Sequence, residues 1–240
     1  MTTSPTGITN AEAYTPRQGT SANTATHASP HIIGITGGIG SGKSFISRLL
    51  TSHFGIPVYD CDTEAKRLTL TSPVIREQLL TLVGPNVYLP DGSLNRALLA
   101  DFMFTQGHTD EVNQIIHPVV RRHFRQWCDA QATSRPLSTR PTPQPPLSQS
   151  PHTHPLLAIE SAILVESGFH TLCHDIWLVT APLELRIRRA MQRDNASREQ
   201  VLARINAQTS DDERKKHARH IIINDGAGDI IDKISEALSL

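Results

Sequence analysis

The chain has 240 residues, 38% of them hydrophobic and 19% charged, enough to bury a core as one domain or as one domain carrying an insertion, and too apolar to stay unfolded throughout. Its 23 Lys and Arg cancel its 23 Asp and Glu, so no overall positive field exists to hold a nucleic-acid backbone or an anionic membrane face, and any anion must be bound locally. No run approaches the length of a membrane span, residues 1–30 lack a signal-peptide apolar stretch, and Cys61, Cys128 and Cys173 are too scattered for a disulfide framework or a Cys-based zinc site; a soluble, cytoplasmic protein is expected.

Residues 1–30 are rich in Ser, Thr, Ala and Pro, with Ile8 the one branched aliphatic side chain, and predict a disordered tail. A transit peptide would need an Arg-studded amphipathic helix, and this stretch has only Arg17. His31 to Thr36 (HIIGIT) then reads as a buried strand, followed by a helical stretch from Ser44 to Phe54 whose apolar face carries Phe45, Ile46, Leu49, Leu50 and Phe54. Val58 to Asp60 is a second short strand. The block from about Cys61 to Ala130 has no convincing strand and predicts several helices, with breaks at Pro73, Gly84-Pro85, Pro90-Asp91-Gly92 and Pro118.

The stretch from about Ala132 to Pro155 holds seven of the 16 prolines and predicts a floppy inserted loop; a proline-motif docking site, or a metal tract through His152 and His154, are the functional alternatives to a spacer. Leu156 to Ser161, Ile176 to Thr180 and His220 to Asn224 read as further buried strands, and Leu183 to Arg193 as a helix. Strands alternating with helices predict an α/β fold, a parallel sheet flanked by helices, with a helical insertion beside it.

Between the first strand and first helix stands Gly37-Gly38-Ile39-Gly40-Ser41-Gly42-Lys43-Ser44, which satisfies GxxxxGK[ST] in its required strand-to-helix context. Gly38, Gly40 and Gly42 let the chain curl so that backbone N–H groups converge on phosphate oxygens, and Ile39 and Ser41 bind through their backbones. Lys43 would neutralise the β and γ phosphates, and the Ser44 hydroxyl would ligate Mg²⁺. The competing reading is a glycine turn that merely lets a helix pack close to a strand. A GTPase switch is weakly supported: NKxD is absent, and the sole DxxG, Asp225 to Gly228, lies too late. Asp60 and Asp62, two apart, would share one face if the strand continued, near the edge where the loop sits, and could hold an acceptor hydroxyl; alternatively they cap the helix that follows.

In order along residues 31–240, IIGITGGIGSGKS, GIPVYDCDTEAKRL, DGSLNRALLADFMF, VNQIIHPVV, AIESAILVESG, RRAMQRDNASREQVLARINAQ and HIIINDG together resemble the dephospho-CoA kinase family. The resemblance implies a P-loop kinase-type fold with an acceptor-binding helical insertion (61–130) and a lid (186–210). It implies transfer of the ATP γ-phosphoryl to the ribose 3′-hydroxyl of dephospho-CoA, with Mg²⁺ as cofactor and with no nucleic acid, membrane or obligate protein partner.

Carried over by position, Asp62 orients or deprotonates the hydroxyl with Asp60 beside it. Arg189 and Arg193, spaced i, i+4, close on the transferred phosphoryl, unless they belong to a solvated basic face with Arg186 and Arg188. Glu166 assists the Mg²⁺ shell through water or serves only a helix dipole. Arg96 and His117 fall in acceptor-binding stretches, though a lone histidine in an apolar run is more often a hydrogen-bonded structural residue, and His117 is not read as catalytic. Asn224 either lies near the adenine or closes a strand in a turn. Asn95, Ala162, Arg219 and Phe45 depart from residues usual in the pattern: Asp before Arg96, Pro before the apolar pair, Asp before the last strand and Thr after Ser44. The alternatives are another nucleoside or nucleotide kinase of this fold, and an NTP-controlled binding protein.

Overall fold

The computed structural model describes residues 29–134 and 154–239. The predicted tail, and the predicted Pro-rich loop with His152, lie almost wholly outside them. All five predicted strands form: β1 (His31–Thr36), β2 (Val58–Asp60), β3 (Leu156–Glu160), β4 (Asp175–Thr180) and β5 (His220–Ile223) make one parallel sheet in the order β2-β3-β1-β4-β5. β1 lies in the middle, its Gly34 in register with Ile159 on one side and Ile176 on the other, so the loop leaving β1 emerges at the centre of the sheet's C-terminal edge.

Each strand sends alternate side chains to opposite faces. On one face Ile33, Ile35, Ala158, Trp177, Val179 and Ile222 pack under α1 (Lys43–Ser52) and α9 (Ile230–Ser239) through Ile46, Leu50, Ile234 and Leu238. On the other, Tyr59, Leu157, Ile159 and Ile176 join the helical block in a second core. That block holds α2 (Cys61–Thr71), α3 (Pro73–Val83), α4 (Arg96–Ala100), a π-helical turn over Asp101–Thr105, and α5 (Thr109–Ser134). Ser72 caps α3 with Pro73 at its first turn, and Asn95 caps α4 by accepting from Leu98 N–H. Asn therefore does at this position the capping that Asp would do.

Pro118 does not break the chain. α5 runs through it, because Val112, Val120, Phe124 and Cys128 recur on one face and are all buried, whereas Pro118 sits on the exposed side. Burying that stripe outweighs the one backbone hydrogen bond that proline forfeits. After β4 come α6 (Leu183–Asp194), α7 (Arg198–Asn206) and α8 (Asp211–Lys215). Ile187, Ala190 and Val201 make a third, small core there, against which the Ile39 side chain of the glycine loop packs. No helix among the described residues is long and apolar enough to cross a membrane.

Candidate active site

The glycine-rich loop passes from β1 into α1 with Gly37, Gly40 and Gly42 at positive φ. Its curl is moulded around Arg186: a Cβ at Gly40 would lie 2.2 Å from the Arg186 carbonyl oxygen and one at Gly38 would collide with its guanidinium. Arg186 is 8% exposed, donates from Nε to the Ile39 carbonyl at 2.9 Å and pairs with Asp211 at 3.1 Å. It is an internal brace, which corrects its reading as part of a solvated basic face. Asp211 also accepts from Thr180 Oγ1 at 2.8 Å and from buried Arg214 at 3.3 Å. The Ile39 N–H donates to Gln208 Oε1 at 2.9 Å, which joins the segment after α7 to the loop.

Asn224 is buried and donates from Nδ2 to the Ser41 carbonyl at 2.9 Å, while Arg189 Nη1 donates to the Asn224 carbonyl at 3.0 Å. Both therefore stand against the loop. They help line a cleft of about 450 Å³ with Gly42, Phe45, Ala227 and Lys233. Lys233 Nζ holds the wall by donating to the Ile223 and Ala227 carbonyls, both at 2.8 Å. Arg193 points its fork at Asp194, at 2.7 and 3.0 Å, yet its charge still acts on Lys43.

Lys43 Nζ donates to the Gly37 carbonyl at 2.9 Å. Burial pushes its ammonium below the ordinary lysine range, against the pull of Glu160 and Asp62 and with the repulsion of Arg214 and Arg193. Ser44 Oγ donates to Glu160 Oε1 at 2.8 Å. Glu160 ends β3, is 7% exposed, and is the site residue that sequence reading missed. The available signal was an acid closing an otherwise apolar parallel strand, at the edge where the loop sits. A hydroxyl and a buried carboxylate are the hard oxygen donors that suit Mg²⁺. Glu166, the sequence-stretch candidate for that role, instead faces Arg214 at 3.6 Å.

The Asp60–Asp62 pair does not share a strand face. β2 ends at Asp60, whose carboxylate caps α2 by accepting from Thr63 N–H at 2.9 Å and Thr63 Oγ1 at 2.7 Å; the chain is helical from Cys61 on. Asp62 in the first turn is thereby directed elsewhere, towards Ser161 Oγ at 3.5 Å. Asp62 leaves much of its surface exposed, yet the surrounding protein desolvates its carboxyl enough to lift it above the usual range, although Lys43 and the Ala162 N–H pull the other way. Lys43 and Asp62 therefore act on one another across one site.

His117 is half-buried on α5 beside Phe169, its ring held below the ordinary histidine range by burial and then by Arg121, so it is neutral at pH 7. Arg96 is exposed at the start of α4. Arg219 lies at the opposite edge of the sheet, paired with Asp175 at 2.9 Å, so its departure from the usual aspartate leaves the nucleotide side untouched.

Comparison with known proteins gives the family. The CoaE family model, described as dephospho-CoA kinase, matches residues 31–143 and 144–229. Dephospho-CoA kinase of Bacteroides fragilis is 45% identical over 208 residues, spanning 86% of this chain and 91% of the relative. That of Porphyromonas gingivalis is 42% identical over 194 residues, 80% of this chain and 85% of the relative. A Thermus thermophilus crystal structure superposes with a TM-score of 0.70 at 34% identity, over 88% of this chain and 96% of that one. Dephospho-CoA kinase from Campylobacter jejuni shares the fold at a TM-score of 0.55 and 20% identity, over 85% and 92% of the two chains. With a family model that covers most of the folded residues and relatives alike along almost their whole length, the chain belongs to the dephospho-CoA kinase family.

Proposed function

We propose that this chain carries out its family's reaction, transfer of the ATP γ-phosphoryl group to the ribose 3′-hydroxyl of dephospho-CoA, with the residues assembled at the C-terminal edge of β1. The observation that supports the assignment of roles is that the loop lysine, Lys43, and the first-turn carboxylate of α2, Asp62, lie near enough for each to shift the other's proton affinity. Backbone N–H groups of the glycine loop cradle the phosphates, that of Ile39 exchanging Gln208 Oε1 for a phosphate oxygen, and Lys43 supplies the charge that the β and γ oxygens need. Asp62 orients the acceptor hydroxyl and takes its proton as the new O–P bond forms. Its raised proton affinity suits that task better than an ordinary aspartate would. Phosphoryl transfer requires little covalent help, so alignment dominates.

Ser44 and Glu160 would hold Mg²⁺, with phosphate and water completing its shell. When bound, the ion neutralises charge developing on the β and γ oxygens. Arg189 and Arg193 bring positive charge from the side opposite Lys43. The cleft beside Asn224 takes the base. The helical block that includes Arg96 and His117 receives the acceptor, and 186–210 closes to exclude water. Three free cysteines fit a reducing cytoplasm, and the substrates are small molecules that require no obligate protein partner.

The test is ADP release measured with and without dephospho-CoA. Acceptor-dependent release that disappears in Lys43→Ala and Asp62→Asn supports the reading; equal release without acceptor, unaffected by Asp62→Asn, refutes it. A protein that used the cradle only to switch a partner would show no acceptor dependence.

A further inference from the structure

α5 carries His117, Arg121 and Arg125 at successive i, i+4 positions, so the three lie along one side of the helix, about 6 Å apart at each step. His117 and Arg121 both rest on Phe169, which is 1% exposed: the His117 ring meets it edge-on at 6.2 Å, and the Arg121 guanidinium lies over it at 4.9 Å. Arg121 is half-buried, and its side-chain hydrogen bond among the described residues is a long one, from Nη2 to the Ser167 carbonyl at 3.4 Å. A guanidinium has five N–H groups, so most of its donors are left for a ligand, with their plane already set by the ring beneath. No carboxylate pairs with Arg121 or Arg125 among the described residues; burial first, and then the repulsion of Arg125, lower the proton affinity of Arg121.

The turn after β3 ties this basic side of α5 to Asp62. At its start Ser161 Oγ stands 3.5 Å from Asp62 Oδ1, and at its end Ser167 and Gly168 lie against Arg121, where a Cβ on Gly168 would be 3.4 Å from Nη2. The Ser167 N–H donates to the Ile163 carbonyl and that of Gly168 to Val165, which coils the turn, so the six steps from Ser161 to Ser167 advance about 9 Å. In dephospho-CoA one ribose separates the 3′-hydroxyl from the pyrophosphate on its 5′ carbon, a separation of the same scale.

We propose that Arg121, with Arg125 one turn further along α5, binds the pyrophosphate of the acceptor and so sets its ribose against Asp62. A guanidinium fork takes phosphate oxygens two at a time, and two forks a turn apart suit an anion with two phosphorus centres. Binding energy gathered there, away from the reacting hydroxyl, holds that hydroxyl in place. The inference rests on the kinase reading and adds which part of the acceptor is gripped.

The experiment measures acceptor-dependent ADP release by Arg121→Gln, Arg121→Lys and Arg125→Gln, with thermal melts of each. Arg121→Gln is expected to raise the KM for dephospho-CoA about 30-fold and Arg125→Gln about fivefold, while the KM for ATP stays within about twofold. Arg121→Lys should fall between wild type and Arg121→Gln, because it keeps the charge but not the fork. Adenosine, which has the hydroxyl but no pyrophosphate, is the control: at saturating ATP it should compete with dephospho-CoA equally well in every variant. A KM for dephospho-CoA in Arg121→Gln that matches wild type, or an equal loss of adenosine binding, overturns the proposal. If Arg121→Gln fails to melt cooperatively, Arg121→Lys decides: a raised KM for dephospho-CoA with adenosine inhibition unchanged supports the proposal, and an unchanged KM overturns it. The two levels separate in the wild type. ADP release that ignores dephospho-CoA overturns the kinase reading and the proposal together, whereas acceptor-dependent release beside an unaffected Arg121→Gln overturns only the pyrophosphate site.

Discussion

At Asp62 stability and activity pull in opposite directions. Its carboxyl binds a proton more tightly in the folded chain than in the unfolded one. Its contribution to stability is therefore fullest below the unfolded pKa and is lost as pH rises through the raised folded value. At neutral pH the charge is a cost to the fold. Asp62→Asn is expected to raise the thermal midpoint at pH 7 by about one or two degrees while removing nearly all turnover, which scanning calorimetry and the ADP assay check together. Turnover needs the ionised form, so its acid limb should lie above the range of an ordinary aspartate. Lys43→Ala should cost at least about 100-fold in kcat, since it removes charge from the transferring group. Gly40→Ala places a methyl 2.2 Å from a backbone oxygen, at a φ of 75° that only glycine adopts freely. A loss of about 2–4 kcal/mol in denaturant melts is expected. The cradle was legible residue by residue because its chemistry is local in sequence. Glu160 and Arg186 were not, because a carboxylate meeting Ser44 across 116 positions and a guanidinium reaching Ile39 across 147 are tertiary facts.

Among the elements, the strands were legible as short apolar runs between turn signals, and each of the five lies within a residue or so of its expected bounds; the expected burial fails at β5, which as an edge strand leaves Ile221 and Ile223 nearly half exposed. Two local rules misled. Counting Asp60 and Asp62 as strand neighbours assumed that β2 continued, but the Asp60 carboxylate itself starts the helix. Reading Pro118 as a break ignored the buried stripe of α5 that keeps the helix whole. Since Pro118 is exposed and gives the helix nothing but a missing hydrogen bond, Pro118→Ala should stabilise the protein. About 3 kcal/mol of helix preference, less about 1 for the freer unfolded chain, leaves roughly 2 kcal/mol in a urea titration. α8 behaves in the opposite way: five residues long, it carries Asp211, which receives Arg186, Arg214 and Thr180 together. Asp211→Ala strands a guanidinium that is 1% exposed and should cost about 3–5 kcal/mol by the same titration.

Over the whole molecule the two ends of the sheet divide the work. The C-terminal edge gathers Lys43, Asp62 and Glu160, whereas the N-terminal edge carries Asp175, bonded to His31 at 2.8 Å and Arg219 at 2.9 Å. Burial would lift the Asp175 carboxyl, but those two hydrogen bonds prevail and hold it below the usual range. Its stabilisation is present above the unfolded pKa and disappears as pH falls through the folded one. Asp175→Ala should therefore lower stability at pH 7 by about 1–3 kcal/mol and leave kcat within twofold, a separation that melts and kinetics on one preparation would reveal. The cores carry a different lesson about modularity. The helical block between β2 and β3 shares its interior with Tyr59, Leu157, Ile159 and Ile176 of the sheet, while the segment around α7 has a small cluster that meets the rest of the protein mainly through the glycine loop, at Ile39. Recombination with a distant relative could exchange the latter as a cassette, but transplanting the former would strip one whole side of the sheet and leave neither piece able to fold.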